Sequence, residues 1–248
     1  MSPAPTPLPT GHTAVMASRR EALDSADHFP TPPWATRALC EMLAARGGER
    51  AAESLSRQTA WEPACGGGHM AGPLAESFGR VLATDLHGYG WAGQTAQVDF
   101  LLPWSWPPQV QVSPPHWIIT NPPFRLAEEF ALPALDYATV GVAMLVRSAW
   151  LEGTGRYERL FSKRRPWIVA QFAERVPMVK GRWDPAASTA TAYAWVVWLT
   201  HHDPAAETIF THIPPGRREA LTRPDDVARY AGALAAVDAP APLLMAAE

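Results

Sequence analysis

Seven short apolar runs, separated by turns and by stretches of helical periodicity, constrain the fold of this chain more than any other feature. Alternation of apolar strands with helices indicates a mainly parallel sheet covered on both faces. The predicted strands comprise residues 58–62, 81–84, 96–99, 117–120, 140–146, 167–172 and 192–199. Residues 174–191 contain no clear helix, so we expect a long hairpin there. The sequence therefore predicts an α/β fold with a mainly parallel seven-stranded sheet whose last strand is antiparallel.

Helices are expected between most of these strands. Thr31-Pro32-Pro33 precedes an apolar stripe, which predicts a helix with a threonine cap, a proline in its first turn and an end near residues 47–48. Pro133 should kink or divide one later helix, because a proline inside a helix removes a hydrogen bond. The other predicted helices comprise residues 69–78, 126–137, 156–161 and 224–235.

Length and composition favour a single globular domain with tails. The chain has 248 residues, 47% of them hydrophobic, with eleven tryptophans, which is enough for one substantial core. Residues 1–27 are proline-rich and lack an apolar run of signal-peptide length, so we expect a disordered tail. Residues 28–200 are predicted to form the domain, and residues 201–248 a C-terminal extension. No apolar run approaches the roughly 20 residues of a membrane helix, which predicts a soluble, cytoplasmic protein.

The potential metal ligands lack the spacing of a metal site. Cys40 and Cys65 are the only cysteines, too few for a zinc site, and we expect them to be reduced. The eight histidines include an adjacent pair but no pair one helical turn apart. The sequence thus predicts no metal and no catalytic cysteine.

Asn121-Pro122-Pro123-Phe124 directly follows the apolar run at residues 116–120 and is suited to methylation of an amino nitrogen. An exocyclic amine is a poor nucleophile because its lone pair is delocalised into the ring, so acceptors must pull it toward tetrahedral geometry. Asn121 offers a side-chain oxygen, and the two prolines fix the direction of the Asn121 and Pro122 carbonyls. Phe124 can stack on a planar base, which contributes roughly 1 to 3 kcal/mol in single-strand binders.

A glycine-rich turn, residues 62–68, lies between the first strand and a helix, a layout suited to binding a nucleoside or a phosphate. Gly66, Gly68 and Ala71 satisfy the G-x-G-x-x-A spacing of a dinucleotide site, with Asp85 nineteen residues after Gly66 to hold ribose hydroxyls. A dehydrogenase is therefore one interpretation of this turn.

Glu62-Pro63-Ala64 favours a different ligand, because a carboxylate at the strand tip repels a diphosphate and attracts a sulfonium or an amino group. S-adenosylmethionine carries both cations. Asp85 would then accept hydrogen bonds from the ribose, and Asp99-Phe100 would bind the adenine amine and cover its ring. The three acidic strand ends indicate a cofactor site at the carboxyl edge of the sheet.

Charge is unevenly distributed along the chain. The net charge is −3, yet residues 147–182 carry +6, which leaves −9 elsewhere. Such asymmetry is typical of a polyanion-binding surface on an otherwise acidic protein. Within and around this segment the candidate contacts are Lys163, Arg164, Arg165, Lys180 and Arg182.

Together these motifs resemble the class I S-adenosylmethionine-dependent amino-methyltransferases, in particular the gamma-type DNA adenine N6-methyltransferases. The resemblance covers residues 29–199, in the same order along the chain, and implies a Rossmann-like fold with a methyltransferase catalytic domain at residues 28–200. It implies that Asn121, Pro122, Pro123 and Phe124 form the catalytic motif. The implied cofactor-binding residues are Thr31, Pro32, Glu62, Pro63, Ala64, Gly66, Gly68, Asp85, Leu86, Asp99, Phe100 and Asn121.

The resemblance implies methyl transfer from S-adenosylmethionine to the N6 amine of an adenine flipped out of double-stranded DNA. Family members commonly carry a sizeable recognition region after the last strand, whereas only 49 residues follow residue 199 here. We therefore expect recognition to rest on the basic segment. Methylation of cytosine N4 or of adenine in RNA stays an alternative, as does a catalytically silent nucleic-acid-binding subunit. Methylation of a protein glutamine is disfavoured, because enzymes of that kind usually carry an N-terminal helical domain that the 28 residues ahead of Phe29 cannot form.

Overall fold

The computed structural model describes residues 27–47, 51–203 and 205–233. The predicted N-terminal tail lies outside these residues except for residue 27. Within the described part of the chain, no helix combines the length and the apolar character needed to cross a membrane.

One eight-stranded sheet forms the centre of the fold, with the strand order β3-β2-β1-β4-β5-β8-β6-β9. Its strands are β1 Thr59–Glu62, β2 Arg80–Asp85, β3 Ala96–Gln97, β4 Trp117–Thr120, β5 Gly141–Arg147, β6 Ile168–Phe172, β8 Tyr193–Leu199 and β9 Ile209–Ile213. Two further short strands, β7 Arg182–Trp183 and β10 Gly232–Ala233, pair with each other outside this sheet.

The strand directions confirm the predicted sheet and add one strand to it. All neighbouring pairs are parallel except those of β8, which lies antiparallel between β5 and β6. The prediction of seven strands was wrong, because β9 continues the sheet beyond β6 in parallel. This strand comes from the C-terminal extension and is mostly exposed, so it lacks the apolar run that identifies the buried strands.

The predicted helices occur in the predicted order, with four corrections to their bounds or caps. The described α-helices are α1 Pro33–Arg46, α2 Ala51–Leu55, α3 Ala71–Leu74, α4 Pro108–Val112, α5 Ala127–Tyr137, α6 Thr154–Arg156, α7 Arg217–Leu221 and α8 Asp226–Tyr230. Shorter helical turns are the 3-10 turns Pro103–Ser105, Phe124–Leu126 and Ser148–Leu151 and the π turn Tyr157–Phe161.

Each correction has a local cause. Pro32, not Thr31, is the N-cap of α1, because the carbonyl of Pro32 accepts the Ala35 N–H at 2.9 Å. The helix after the glycine turn is only four residues long and contains Pro73, whose missing N–H disfavours a regular helix. Pro133 does not divide its helix, since α5 runs unbroken from Ala127–Tyr137. The last predicted helix ends at Tyr230, where the chain enters β10.

Both faces of the sheet are covered, as expected for buried parallel strands. β5 is buried along six of its seven residues. Trp34, Trp61, Trp195 and Trp198 are almost fully buried, so aromatic side chains fill much of the interior on the two sides. The core therefore fixes the carboxyl ends of the central strands, where the candidate site lies.

A buried ion-pair network attaches the C-terminal extension to α1. All five N–H groups of Arg37 donate hydrogen bonds, to both carboxylate oxygens of Asp226 at 2.6 and 2.7 Å, to both of Glu76 at 2.8 and 2.9 Å, and to the carbonyl of Leu221 at 2.7 Å. Arg37 is 8% exposed and Asp226 is 1% exposed. The extension is thereby fixed beside the glycine turn.

Candidate active site

A partly open cavity with a volume of about 170 Å³ lies at the carboxyl ends of β1, β2 and β4. Because these strands are adjacent and parallel, their ends bring Glu62, Asp85 and Asn121 to the same edge of the sheet. The cavity is lined by ten of the predicted site residues, namely Thr31, Glu62, Pro63, Ala64, Asp85, Leu86, Asp99, Phe100, Asn121 and Pro123. Five predicted residues, Pro32, Gly66, Gly68, Pro122 and Phe124, lie next to this lining in the chain but are not part of it.

The glycine turn depends on conformations that only glycine adopts easily. Gly66 and Gly68 have φ values of +49° and +80°. A Cβ atom at Gly66 would lie 2.3 Å from the imidazole of His28, and one at Gly68 would lie 2.3 Å from the indole of Trp91. These glycines therefore shape the cavity wall by allowing close packing behind it.

Glu62 has a buried carboxyl group whose surroundings favour a nearby cation. Its side chain is 2% exposed, and its Oε2 atom has no hydrogen-bond partner among the described residues. Burial raises the pKa of Glu62 well above its ordinary value, and the nearby Asp85 raises it further. A ligand cation beside Glu62 would offset both effects, so this part of the cavity fits a positively charged group.

Asp85 and Asp99 are already oriented by backbone N–H groups. The two oxygens of Asp85 accept hydrogen bonds from Gly66 at 2.8 Å and His87 at 2.9 Å, and Asp99 accepts one from Leu101 at 2.9 Å. Each carboxylate oxygen can accept a further hydrogen bond, so these contacts leave acceptor capacity for ribose hydroxyls and an adenine amine.

Phe100 supplies an apolar wall to the same cavity. It is 2% exposed and packs against Trp61, Trp106 and Phe130, with ring centroids 4.8 to 5.4 Å apart. Packing on several sides holds the ring in one orientation, as a surface for a flat ligand requires.

Asn121 presents one free acceptor. Its Nδ2 atom donates to the carbonyl of Phe29 at 2.9 Å, which orients the amide, and its Oδ1 atom is buried without a partner among the described residues. An amide oxygen held in this way can accept a hydrogen bond from an amine without prior rearrangement. The Asn121 amide thus has one acceptor available to a ligand amine.

Phe124, in contrast, is engaged by the protein itself. The Arg147 guanidinium carbon lies 3.9 Å from its ring centroid, and the ring of Phe29 lies 5.0 Å away. The Phe124 N–H donates to the carboxylate of Asp27 at 2.7 Å. A base that stacks on the ring surface covered by Arg147 must displace that guanidinium.

Three histidines in the cavity wall, His28, His69 and His87, were missed in the sequence. His28 stacks on Tyr89 with centroids 4.5 Å apart, and burial together with His69 lowers the pKa of His28 to about 4. The position of His69 directly after the glycine turn is the one signal that could have identified it. Among the described residues, no group of three histidine, cysteine or acidic side chains could hold a metal ion.

The cavity also contains Cys65, but this cysteine is not poised as a nucleophile. It is 4% exposed, and burial raises the pKa of its thiol, with further contributions from Glu62 and Asp85. This environment favours the protonated thiol, whereas a nucleophilic cysteine needs the thiolate.

The two predicted nucleic-acid-binding groups lie at opposite ends of the sheet. Lys163, Arg164 and Arg165 precede the amino end of β6, where Arg164 pairs with Asp136 at 2.6 Å. The Lys180 to Arg182 loop follows the carboxyl end of β6, and its Gly181 N–H donates to the carbonyl of His28 at 2.9 Å. Only the second group borders the cavity, because a run of basic residues in sequence does not indicate which end of the sheet it occupies.

The chain matches no protein-family model and no curated protein sequence. It is similar in structure to a protein named as a modification subunit of a type I restriction enzyme from Vibrio vulnificus, with a TM-score of 0.52 and 15% identity, covering 79% of this chain and 49% of that one. It is also similar to a type I restriction-modification methyltransferase subunit from Streptococcus thermophilus, with a TM-score of 0.50 and 13% identity, covering 69% and 44%. The chain thus spans about half of the length of these proteins.

These similarities concern the fold. A mixed α/β sheet with one antiparallel strand, shared with methyltransferase structures, confirms the predicted Rossmann-like class I methyltransferase fold. The extra strand β9 lies at the edge of the sheet away from β1, β2 and β4, and so leaves the cavity end of the fold unchanged.

Proposed function

We propose that this protein transfers a methyl group from S-adenosylmethionine to the N6 amine of an adenine in DNA. The observation that carries the proposal is one cavity lined by two buried acceptors, Glu62 Oε2 and Asn121 Oδ1, that have no partner in the described part of the chain. The first suits a cation and the second suits an amine, which are the charged part of the cofactor and the group to be methylated. A diphosphate cofactor is disfavoured because Glu62 would repel it.

The described residues fit S-adenosylmethionine at several points. Glu62 would bind its positive charge, Asp85 the ribose hydroxyls, and Asp99 with Phe100 the adenine. Thr31, Pro63, Ala64 and Leu86 complete the wall, and Pro32, Gly66 and Gly68 shape the two loops behind it. When bound, this cofactor supplies an electrophilic methyl group on a sulfonium.

The chain's own residues then act on the target amine. Asn121 Oδ1 and the Pro122 carbonyl accept its hydrogens, which draws the nitrogen lone pair out of conjugation. These two acceptors would hold the nitrogen toward the methyl group that the bound cofactor supplies, and the proton lost from the amine would pass to solvent. Most of the rate enhancement comes from alignment, for which effective molarities allow about 7 to 11 kcal/mol. The directed carbonyls depend on Pro122 and Pro123, while Phe124 stacks on the base after Arg147 moves aside.

DNA is proposed as the substrate for two reasons. The carboxyl end of the sheet has basic residues around the cavity, with Arg125, Arg147 and Arg175 exposed and the Lys180 to Arg182 loop beside His28. The two similar structures are named as subunits of restriction-modification systems. A double-stranded target would need base flipping, at a cost of a few kcal/mol.

Label transfer from the cofactor tests the proposal. Purified protein is incubated with methyl-tritiated S-adenosylmethionine and double-stranded DNA, single-stranded DNA or RNA, and the modified nucleosides are identified by mass spectrometry. We expect N6-methyladenine in DNA, and Asn121→Ala serves as the matched control. Label in cytosine or in RNA would show that adenine in DNA is not the substrate. Cofactor binding without transfer to any of these substrates would refute nucleic-acid methylation.

A further inference from the structure

His69 lies in the cavity wall with one ring nitrogen bonded and the other unsatisfied. The side chain is 3% exposed. Its Nε2 atom lies 2.9 Å from the carbonyl oxygen of Tyr230, whereas Nδ1 has no partner among the described residues. Such a buried, unpaired ring nitrogen costs free energy unless a bound group satisfies it.

The Tyr230 contact determines which ring nitrogen carries the hydrogen. A carbonyl oxygen only accepts, so Nε2 must donate, and the neutral ring then has a bare lone pair on Nδ1. Burial lowers the pKa of His69 to about 4, which keeps the ring neutral near pH 7. Nδ1 is therefore an acceptor that needs a donor, and it would repel a carboxylate.

Resting on the proposed function, we propose that His69 Nδ1 and Glu62 Oε2 together bind the ammonium group of the amino-acid part of the cofactor. Both residues line the same cavity, and both atoms are buried acceptors for which residues 27–47, 51–203 and 205–233 provide no partner. A sulfonium has no N–H to donate, so it can satisfy the charge of Glu62 but not the lone pair of His69. An ammonium has three donors and satisfies both.

The C-terminal extension acts as the positioning element of this subsite. The Tyr230 carbonyl that orients His69 comes from a residue 161 positions later in the chain. The segment is held on one side by Asp226 through its bidentate contact with Arg37, and on the other by the pairing of β10 with β7. The extension thus sets the hydrogen position on the residue that directly follows the glycine turn.

Two substitutions separate ligand binding from a purely structural role. In His69→Asn, the side-chain oxygen can occupy the place of Nδ1 but the amide cannot reach Tyr230. In His69→Gln, the amide can reach Tyr230 but leaves no acceptor at the place of Nδ1. The full chain is titrated calorimetrically with S-adenosylhomocysteine and with 5′-methylthioadenosine, which lacks the amino-acid part and serves as the control for an intact nucleoside pocket.

We expect His69→Gln to bind S-adenosylhomocysteine about 10-fold more weakly than wild type, the size of one hydrogen bond to a charged group. His69→Asn should stay within about 3-fold, because it retains the acceptor. Both variants should bind 5′-methylthioadenosine like wild type. The reverse order, with Asn impaired and Gln normal, would show that His69 only holds Tyr230 and would overturn the inference, as would equal affinity of all three proteins.

A wild-type measurement keeps the inference testable if a variant does not fold. Replacing the amino group of S-adenosylhomocysteine by hydrogen should weaken binding at least about 10-fold, and equal affinity would overturn ammonium recognition. If wild type binds neither nucleoside, the proposed function fails with it. If wild type binds both nucleosides but binds S-adenosylhomocysteine equally well without its amino group, the inference fails while the proposed function stands.

Discussion

The cofactor side and the target side of the cavity differ in how far the protein satisfies its own polar groups. On the cofactor side, Glu62 Oε2 and His69 Nδ1 have no partners among the described residues. On the target side, Phe124 is bound through its N–H by Asp27 and through its ring by Arg147. Under the proposed function, the cofactor pocket is preformed, whereas a target base must replace contacts that the free protein makes with itself.

Asn121 belongs to both sides, and its removal should have the largest effect. Asn121→Ala removes the free acceptor and should reduce methyl transfer by about 10²- to 10³-fold, the range that removal of one transition-state hydrogen bond costs. Cofactor affinity should stay within a few-fold of wild type, because Glu62 and Asp85 are unchanged. Single-turnover label transfer and calorimetric titration with S-adenosylhomocysteine measure the two quantities.

The contrast between the cofactor side and the target side would be wrong if Asn121→Ala reduced cofactor affinity and methyl transfer by the same factor. Asn121 would then be part of the cofactor pocket only, and the target amine would need another acceptor. Asn121→Asp is the matched variant, since it keeps an oxygen at this position but cannot donate to the Phe29 carbonyl.

Arg37 tests how strongly the C-terminal extension is attached to the rest of the fold. Arg37→Met leaves the carboxylates of Asp226 and Glu76 without their shared partner, and breaking a buried ion pair costs about 3 to 5 kcal/mol. We expect the free energy of unfolding to fall by about that amount in urea titrations. A control in the exposed i,i+4 pair, Arg229→Met, should change it by less than about 0.5 kcal/mol, because that pair is exposed to solvent.

The sequence could predict the central sheet because buried strands carry their own signal. The predicted and observed bounds of β4 are identical, and those of β1, β2, β5, β6 and β8 differ by one residue or less at either end. The edge strand β9 was not predicted, because its side chains are mostly exposed. Burial on both faces thus makes a strand predictable, whereas the edge strand β3 was predicted two residues too long and the edge strand β9 was not predicted.

The candidate site could be predicted as far as it depends on strand ends. Topology brings the carboxyl ends of neighbouring parallel strands together, so Glu62, Asp85 and Asn121 were placed by the sheet. The contacts of Asp27 with Phe124 and of Tyr230 with His69 span 97 and 161 residues. No local pattern predicts such contacts, because they arise only when loops and the extension pack against the finished sheet.

Glu62 makes the unliganded protein less stable at high pH. Its pKa in the folded protein lies well above the ordinary 4.5, so the carboxyl stays protonated without cost below pH 4.5, and stability is lost as the pH rises through the raised value. Glu62→Gln should remove this loss and raise the unfolding temperature of the unliganded protein at pH 9. A buried unsatisfied polar group costs about 1 to 3 kcal/mol, which corresponds to about 2 to 12 °C for a chain of this size, and a charged group costs more.

The same substitution should weaken cofactor binding and remove the proton release that accompanies it. A bound ammonium lowers the pKa of Glu62, so wild type should release a proton on binding S-adenosylhomocysteine when the pH lies below the raised pKa. Titrations in buffers of different ionisation enthalpy measure that proton. If Glu62→Gln were less stable than wild type at pH 9 and equally able to bind, Glu62 would be a structural group rather than a ligand-binding one.

The basic residues offer the smallest and most graded test of the target side. Reversal of Arg125 and Arg175 to Glu, at the carboxyl end of the sheet, should weaken DNA binding and reduce the slope of log affinity against log salt by about one for each phosphate that is no longer neutralised. Reversal of Lys163 and Arg165, at the amino end of β6, should leave the slope nearly unchanged and is the matched control. Because both pairs change the net charge by the same amount, a larger effect of the second pair would place the DNA away from the cavity. Fluorescence anisotropy with a labelled duplex at several salt concentrations distinguishes the two outcomes.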